Sequence, residues 1–179
     1  MVMKKEVDNA VWEEDMRVMS AETNIQSILE HINNVQRNCD KLGLKLMKLG
    51  QVNMGRKLIA NGRIHDNSKF HGIEFEHLFY RSHILKDVIS HHQSVNPHHP
   101  EYWWDGIEHG KGIYEMPDVY FAEMVCDCVA RSQEFGTDVR VWFFTKAKEK
   151  YGFGEYDEVA KKINYYLDLL LEKPFDKQA

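Results

Sequence analysis

Ten histidines stand in a chain of 179 residues, and they are not scattered. His65, His71, His77, His83, His91, His92, His98 and His99 all fall between positions 65 and 99. His65 is followed directly by Asp66, and two adjacent pairs, His91-His92 and His98-His99, lie downstream. Imidazole nitrogen combined with carboxylate oxygen suits divalent transition metals: Zn, Mn, Co, Ni or Fe. One or two such ions are the expected cofactor. The sharpest single residue lies further on. Positions 119–130 read VYFAEMVCDCVA, apolar almost all round, with Asp127 in the middle. Such a helix is normally buried. A carboxylate inside it costs on the order of several kcal/mol unless it is paired or bound to a metal. Pairing with an arginine, or capping a neighbouring helix, is the alternative for Asp127 taken alone.

The elements that must position these groups read as helices. Thr23-Asn24-Ile25-Gln26 has the form of a capping box. Ile28, Leu29, Ile32, Val35, Cys39 and Leu42 follow at helical spacing, which predicts a first helix ending near Leu49-Gly50. His31 lies on that apolar stripe; a lone histidine there is usually a satisfied core residue. A short helix over 52–60 is expected to stop at Asn61-Gly62 and to lead into a turn holding His65-Asp66. A third helix, about 73–93, carries Leu78, Leu85, Val88 and Ile89. His92 continues the series from Leu85, and His91 continues Ile84 and Val88. Asn96-Pro97 breaks it. Residues 96–118 form a loop with three prolines, three glycines and the run Tyr102-Trp103-Trp104. The Asp127 helix starts at Pro117-Asp118 and ends at Phe135-Gly136. Two more helices are expected near 138–150 and 155–172. The predicted fold is all-α: an N-terminal arm over 1–20, then one helical domain of about six helices over 21–175. Several helices or helix ends each offer a His or an Asp toward a common interior. Together they favour a metal site over the separate alternatives.

Bulk properties restrict the partners. Net charge is -5 and the pI is about 6.1, so a grip on long nucleic acid through its phosphates is not expected. No apolar run approaches the roughly 20 residues that span a bilayer. The opening MVMKKEVDNAVWEED has no apolar signal core, and a cytoplasmic protein is expected. Cys39, Cys126 and Cys128 are too few and too uneven for a disulfide framework. Cys126 and Cys128, two apart on a helix, point to nearly opposite faces and read as small buried residues. Trp142, Phe143, Phe144 and Tyr151 could pack inside or form the face of a homodimer.

The order His31, His65-Asp66, a His pair, then Asp127 on a late buried helix resembles the HD-domain superfamily of metal-dependent phosphohydrolases. Its pattern is H…HD…(H…H)…D on a helical bundle. His65-Asp66-Asn67-Ser68-Lys69 is similar to the HDxxK form of several branches. The segment from His98-His99 to Asp105-Gly106 is similar to the HHExxDG stretch of the cyclic-dinucleotide branch, without its later Gly-Tyr-Pro. HDxSKF combined with NPHHPEYW also resembles a small uncharacterised family of phages and bacteria. This chain departs from the superfamily in having two His pairs. His91/His92 are better placed by helix geometry and His98/His99 by local motif.

The resemblance implies an HD-like bundle that hydrolyses a small phosphorylated substrate, a nucleotide or another small phosphoester. It implies metal ligands among His31, His65, Asp66, His91, His92, His98, His99 and Asp127, with Asp66 shared between two ions. Lys69 would bind a phosphate oxygen, beside Asp66 in the reaction, and Arg63 and Arg131 are further phosphate candidates. Trp103 and its neighbours would stack on a base or close the mouth of the site; plain hydrophobic cover is the alternative. Glu74 and Glu76 read as solvated acids. Two other functions share the pattern: an HD-fold di-iron oxygenase built on four His and two Asp, and a non-catalytic, metal-stabilised module that binds a protein.

Overall fold

A computed structural model describes residues 2–81, 83–104 and 112–172, with side chains from residue 22 onward. Asp105 and Gly106 of the HHExxDG-like stretch lie outside it. Every regular element among the described residues is helical. None of these helices is long and apolar enough to cross a membrane.

Helix α1 (Val2–Lys48) is the longest element. It runs straight through the expected arm, so Thr23 sits inside a helix rather than capping one. Its buried stripe is Ile32, Val35, Cys39, Leu42 and Leu46, and Gly50, at φ 85°, ends the turn that follows. Helix α2 (Val52–Ile64) folds back along α1. It continues past Asn61-Gly62, where a stop was expected, because both residues are used in packing. A side chain on Gly62 would collide with Cys39, and one on Gly55 would collide with the backbone of Gly43. The three glycines let the two helix backbones approach closely.

Helix α6 (Asp118–Phe135) lies across this pair and starts and stops where expected: Pro117 is its N-cap and Gly136, at φ 63°, its C-cap. Phe121, Ala122, Val125, Cys126, Val129 and Ala130 are buried along it. Helix α9 (Glu158–Leu171) closes the core with Ile163, Leu167 and Leu170. Between them, α7 (Val139–Trp142), a π-helical turn (Phe143–Ala147) and α8 (Lys148–Tyr151) run on as one helix. Phe143 is fully buried, Phe144 and Tyr151 pack against the core, and Trp142 stays 39% exposed.

The expected helix over 73–93 is two helices, α3 (Gly72–Tyr80) and α4 (Leu85–Val95). The break falls at Arg81, in the left-handed conformation at φ 49°. This hairpin differs from the rest of the fold. Helix α4 buries no residue, and the residues α3 buries are Glu74 and His77, both polar. Two 3-10 turns, Asn67–Phe70 and Pro100–Trp103, and the short α5 (Gly112–Glu115) complete the described chain.

Candidate metal centre

Five elements deliver the cluster. His31 comes from α1, and His65 and Asp66 from the end of α2. His92 comes from α4, His98 and His99 from the loop behind it, and Asp127 from α6. Asp66 holds the left-handed conformation, φ 55° and ψ 22°, which turns the chain sharply out of α2. Asp tolerates that region better than most residues, and such positions gather at functional sites.

Three groups of side chains converge, each offering ligand atoms within 4.8 Å of one another. One is Asp66, His92, His98 and His99. The second is His31, His65 and Asp127. The third is His65, His98 and Glu123. Asp66 lies between the first two. Its Oδ1 is 3.3 Å from Nε2 of both His92 and His98, and its Oδ2 is 3.6 Å from His65 Nε2. Its two oxygens therefore face different groups, as a carboxylate shared by two ions would.

The imidazoles are oriented from behind by acids. His31 Nδ1 donates to Glu134 at 2.9 Å, His65 Nδ1 to Glu123 at 3.1 Å, and His92 Nδ1 to Glu74 at 2.8 Å. Each ring then turns Nε2 toward another carboxylate: His31 toward Asp127 at 3.0 Å, His65 and His92 toward Asp66. A neutral imidazole whose hydrogen is on Nδ1 presents a lone pair at Nε2, so in that form lone pair faces carboxylate oxygen; a bound cation relieves this, as does a proton on the ring or, at His92, the Lys69 ammonium 3.2 Å from its Nε2. Protonating every ring is a poor remedy. The His65–His98 and His98–His99 ring centroids are 4.3 Å apart, and His92–His99 are 4.9 Å apart. At about 4 Å, two like charges cost roughly 4 kcal/mol at an effective dielectric constant near 20. Nε2 of His65, His98 and His99 and Oδ1 of Asp66 and Asp127 are buried with no well-formed hydrogen bond. Buried polar atoms are rarely left so. A carboxylate behind a ligating imidazole is the usual support of a metal site. The donor set of imidazole nitrogen and carboxylate oxygen fits a divalent transition metal.

Titration follows the same geometry. Burial opposes ionisation of Asp66, but His65, His92, His98 and Lys69 hold its carboxyl well below the usual range. Asp127 is likewise held down, against burial, by His31, His65 and His98. Burial lowers His92, yet the carboxylates of Asp66 and Glu74 beside it raise it to about 9. His99 is pushed down to about 3 by burial and by the neighbouring His98 and His92.

The other expected residues are placed as follows. His91 joins none of the three groups; its Nδ1 donates to Glu74 at 2.9 Å and its side chain is 39% exposed. Lys69 lies against the cluster, with Nζ 2.9 Å from Asp66 Oδ2. Arg131 lines the cavity in front of the cluster and pairs with Glu134 at 3.1 Å. Arg63 is held by Asp40, with both oxygens at 2.8 Å, and does not line that cavity. Trp103 also lies away from it: its indole donates to Pro97 O and its ring packs on Tyr102 and Tyr120. The cysteines join no metal group, and Cys39 and Cys126 are buried.

Glu74, Glu123 and Glu134 support the imidazoles, a role their sequence context alone does not assign. Glu123 carries the clearest signal, since it precedes Asp127 by one helical turn in the same apolar run. Glu134 continues that face. Glu74 is not the solvated acid its place in the sequence suggests: it is 5% exposed and its oxygens hold both His91 and His92. Glu76 is exposed and faces His83.

Fold and site define an all-helical protein with a buried imidazole–carboxylate cluster able to hold metal. The chain belongs to the family of unknown function DUF5662, whose profile matches residues 20–173. No curated protein and no solved structure matches it.

Proposed function

We propose that this protein is a cytoplasmic, metal-dependent phosphohydrolase of the HD type, acting on a nucleotide or another small phosphoester. One observation carries the reading. Three imidazoles, each fixed from behind by a glutamate, turn Nε2 onto the oxygens of Asp66 and Asp127, and Lys69 stands beside them. The order of these residues along the chain is the one that resembles the HD superfamily.

His31, His65, Asp66 and Asp127 would hold one ion; Asp66, His92, His98 and His99 would hold a second. A divalent ion in such a site supplies Lewis acidity and water of lowered pKa. The chain's own groups do the remaining work. Asp66 and Asp127 stay ionised across the neutral range. Glu74, Glu123 and Glu134 fix the imidazole orientation. Lys69 directs an ammonium at the cluster, where it can donate to a non-bridging phosphate oxygen. Arg131, 43% exposed at the cavity, adds a second cation on the approach. In the hydrolysis, a water oxygen bonds to phosphorus, the bond from phosphorus to the leaving oxygen breaks, and a proton goes to that oxygen.

Elemental analysis of the purified protein, joined to a phosphate-release screen of nucleotides and phosphoesters with Mn, Co, Zn and Ni, tests the proposal. Phosphate release that tracks metal content is the expected result. Two irons per chain with oxygen uptake and no phosphate release would replace it with the oxygenase reading, which the four-His, two-Asp subset His31, His65, His92, His98, Asp66 and Asp127 also accommodates. No turnover, with metal removal only lowering the melting temperature, would leave a metal-stabilised binding module.

A further inference from the structure

The cavity in front of the cluster has a volume of about 450 Å³, a size suited to a small ligand. Its inner end is formed by Asp66, His92, His99 and Asp127. Its outer part is of a different character. Ile28 of α1, Leu78 of α3, and Leu85, Val88 and Ile89 of α4 form an aliphatic wall, flanked in the lining by Arg81 and Gln93. Among the described lining residues there is no Phe, Tyr or Trp, so a nucleobase would find no ring other than imidazole to stack on. The wall is also poorly covered by protein: Leu85 is 58% and Ile89 47% exposed. Of the two buried polar residues that line the cavity from α3, Glu74 is taken up by His91 and His92, and His77 is not. His77 is 9% exposed, lines the cavity, and its Nδ1 has no partner.

We infer that this outer part is a subsite for an apolar organic group, and that the phosphoester is an alkyl or aryl monophosphate with a polar atom for His77 rather than a nucleotide. The inference rests on the phosphohydrolase reading and narrows its substrate. Phosphate at the ions and Lys69 places the organic group against α3 and α4, because the two ends belong to one continuous cavity. Burying that group covers Leu85 and Ile89, which α4 leaves open to water. A ribose and base would instead press several polar atoms against aliphatic side chains, where each unmatched group loses hydration.

The test is calorimetric titration of the Mn-saturated protein with inorganic phosphate, with a non-hydrolysable series from methylphosphonate to hexylphosphonate, and with adenosine monophosphate. Inorganic phosphate should bind, and affinity should rise along the series by about twofold to fourfold per methylene, up to the ratio expected for a fully buried CH₂. Leu85→Gln with Ile89→Gln should flatten that rise; both side chains are exposed, and a circular dichroism melt checks that the fold is kept. Phosphate binding with no dependence on chain length, or adenosine monophosphate binding more tightly than hexylphosphonate, would overturn the subsite and leave the phosphohydrolase reading standing. Failure of inorganic phosphate and every phosphonate to bind would overturn both.

Discussion

Glu123 offers a direct test of the metal centre, because its carboxylate lies against the Nδ1 atoms of His65 and His98, whose Nε2 atoms face Asp66. Its Oε1 accepts from His65 Nδ1 at 3.1 Å and lies 3.6 Å from His98 Nδ1, on the rear side of both rings. Its Oε2 accepts from Asn61 at 3.0 Å. Glu123→Gln keeps the shape and removes the charge. The amide oxygen can still accept from His65, and the new NH₂ group meets Asn61, whose own amide can turn its oxygen inward. The fold should therefore survive, and the change isolates the carboxylate's effect on the imidazoles. Losing a supporting carboxylate typically weakens a metal site by about 10- to 100-fold, which is about 1.4 to 2.7 kcal/mol. Competition with a chromophoric chelator measures this directly. The melting temperature should fall more in the metal-loaded variant than in the metal-free one. An affinity within twofold of wild type, with the metal-free protein equally stable, would refute the assignment of Glu123 as the group that orients His65.

Four further outcomes follow from the same geometry. His65→Ala and Asp66→Ala should each lower bound metal by elemental analysis and abolish phosphate release; full retention of metal in both would defeat the site. Lys69→Ala should raise KM for the phosphoester by roughly tenfold or more, the worth of one charge-assisted hydrogen bond, while metal content stays the same; unchanged kinetics would remove Lys69 from the phosphate role. His92 is held up to about 9 by Asp66 and Glu74 against its burial. Its contribution to the metal-free protein is thus fully present below about pH 6.5 and lost as pH rises through about 9. That is at most about 3 kcal/mol, so with chelator present the melting temperature should fall between pH 6.5 and 9, and His92→Gln should remove that fall. Amides of α3 and α4 should exchange fastest among the described helices without metal and gain the most protection on adding it; protection equal to that of α6 in the metal-free protein would refute this.

The legible parts of the fold were those where one residue fixes one outcome. Pro117 and Gly136 bracket α6, and the apolar run between them marks it as buried. The misread parts were tertiary decisions. Asn61-Gly62 has the local form of a helix stop, but Gly62 fits under Cys39 and Asn61 reaches Glu123, so α2 continues. Thr23 has the form of a cap, but α1 is helical on both sides of it. The break between α3 and α4 lacks the usual punctuation, because Arg81 rather than glycine takes the left-handed conformation. At the site, His31, Asp66 and Asp127 were legible from polar residues in apolar surroundings or next to a turn. The choice between His91 and His92 was not. Neighbours on a helix differ by about 100°, and the partner that separates them, Glu74, lies on another helix. The two His pairs looked like rivals; the structure takes His92 from one and both members of the other into a single group.

The hairpin of α3 and α4 explains why such a cluster would be tied to metal. A helix normally holds its place by an apolar face buried against neighbours. Helix α4 has no buried residue, and α3 buries a glutamate and a histidine. Polar links run through the hairpin: Glu74 holds His91 and His92 across it and accepts from Ser68 outside it, and Asn96 donates to Ser68. His92 then meets Asp66, which belongs to the end of α2. Polar links of this kind contribute little net stability each, about 1 kcal/mol, and elements held this way open first. An ion bonded to Asp66, His92, His98 and His99 would replace a chain of weak links by strong ones that span α2, α4 and the following loop. Its binding energy would act as folding energy for the hairpin. Apart from Ile28 of α1, the side chains of the cavity's aliphatic wall stand on that hairpin, so an ion that fixed α4 would also fix most of the surface against which an organic group would lie.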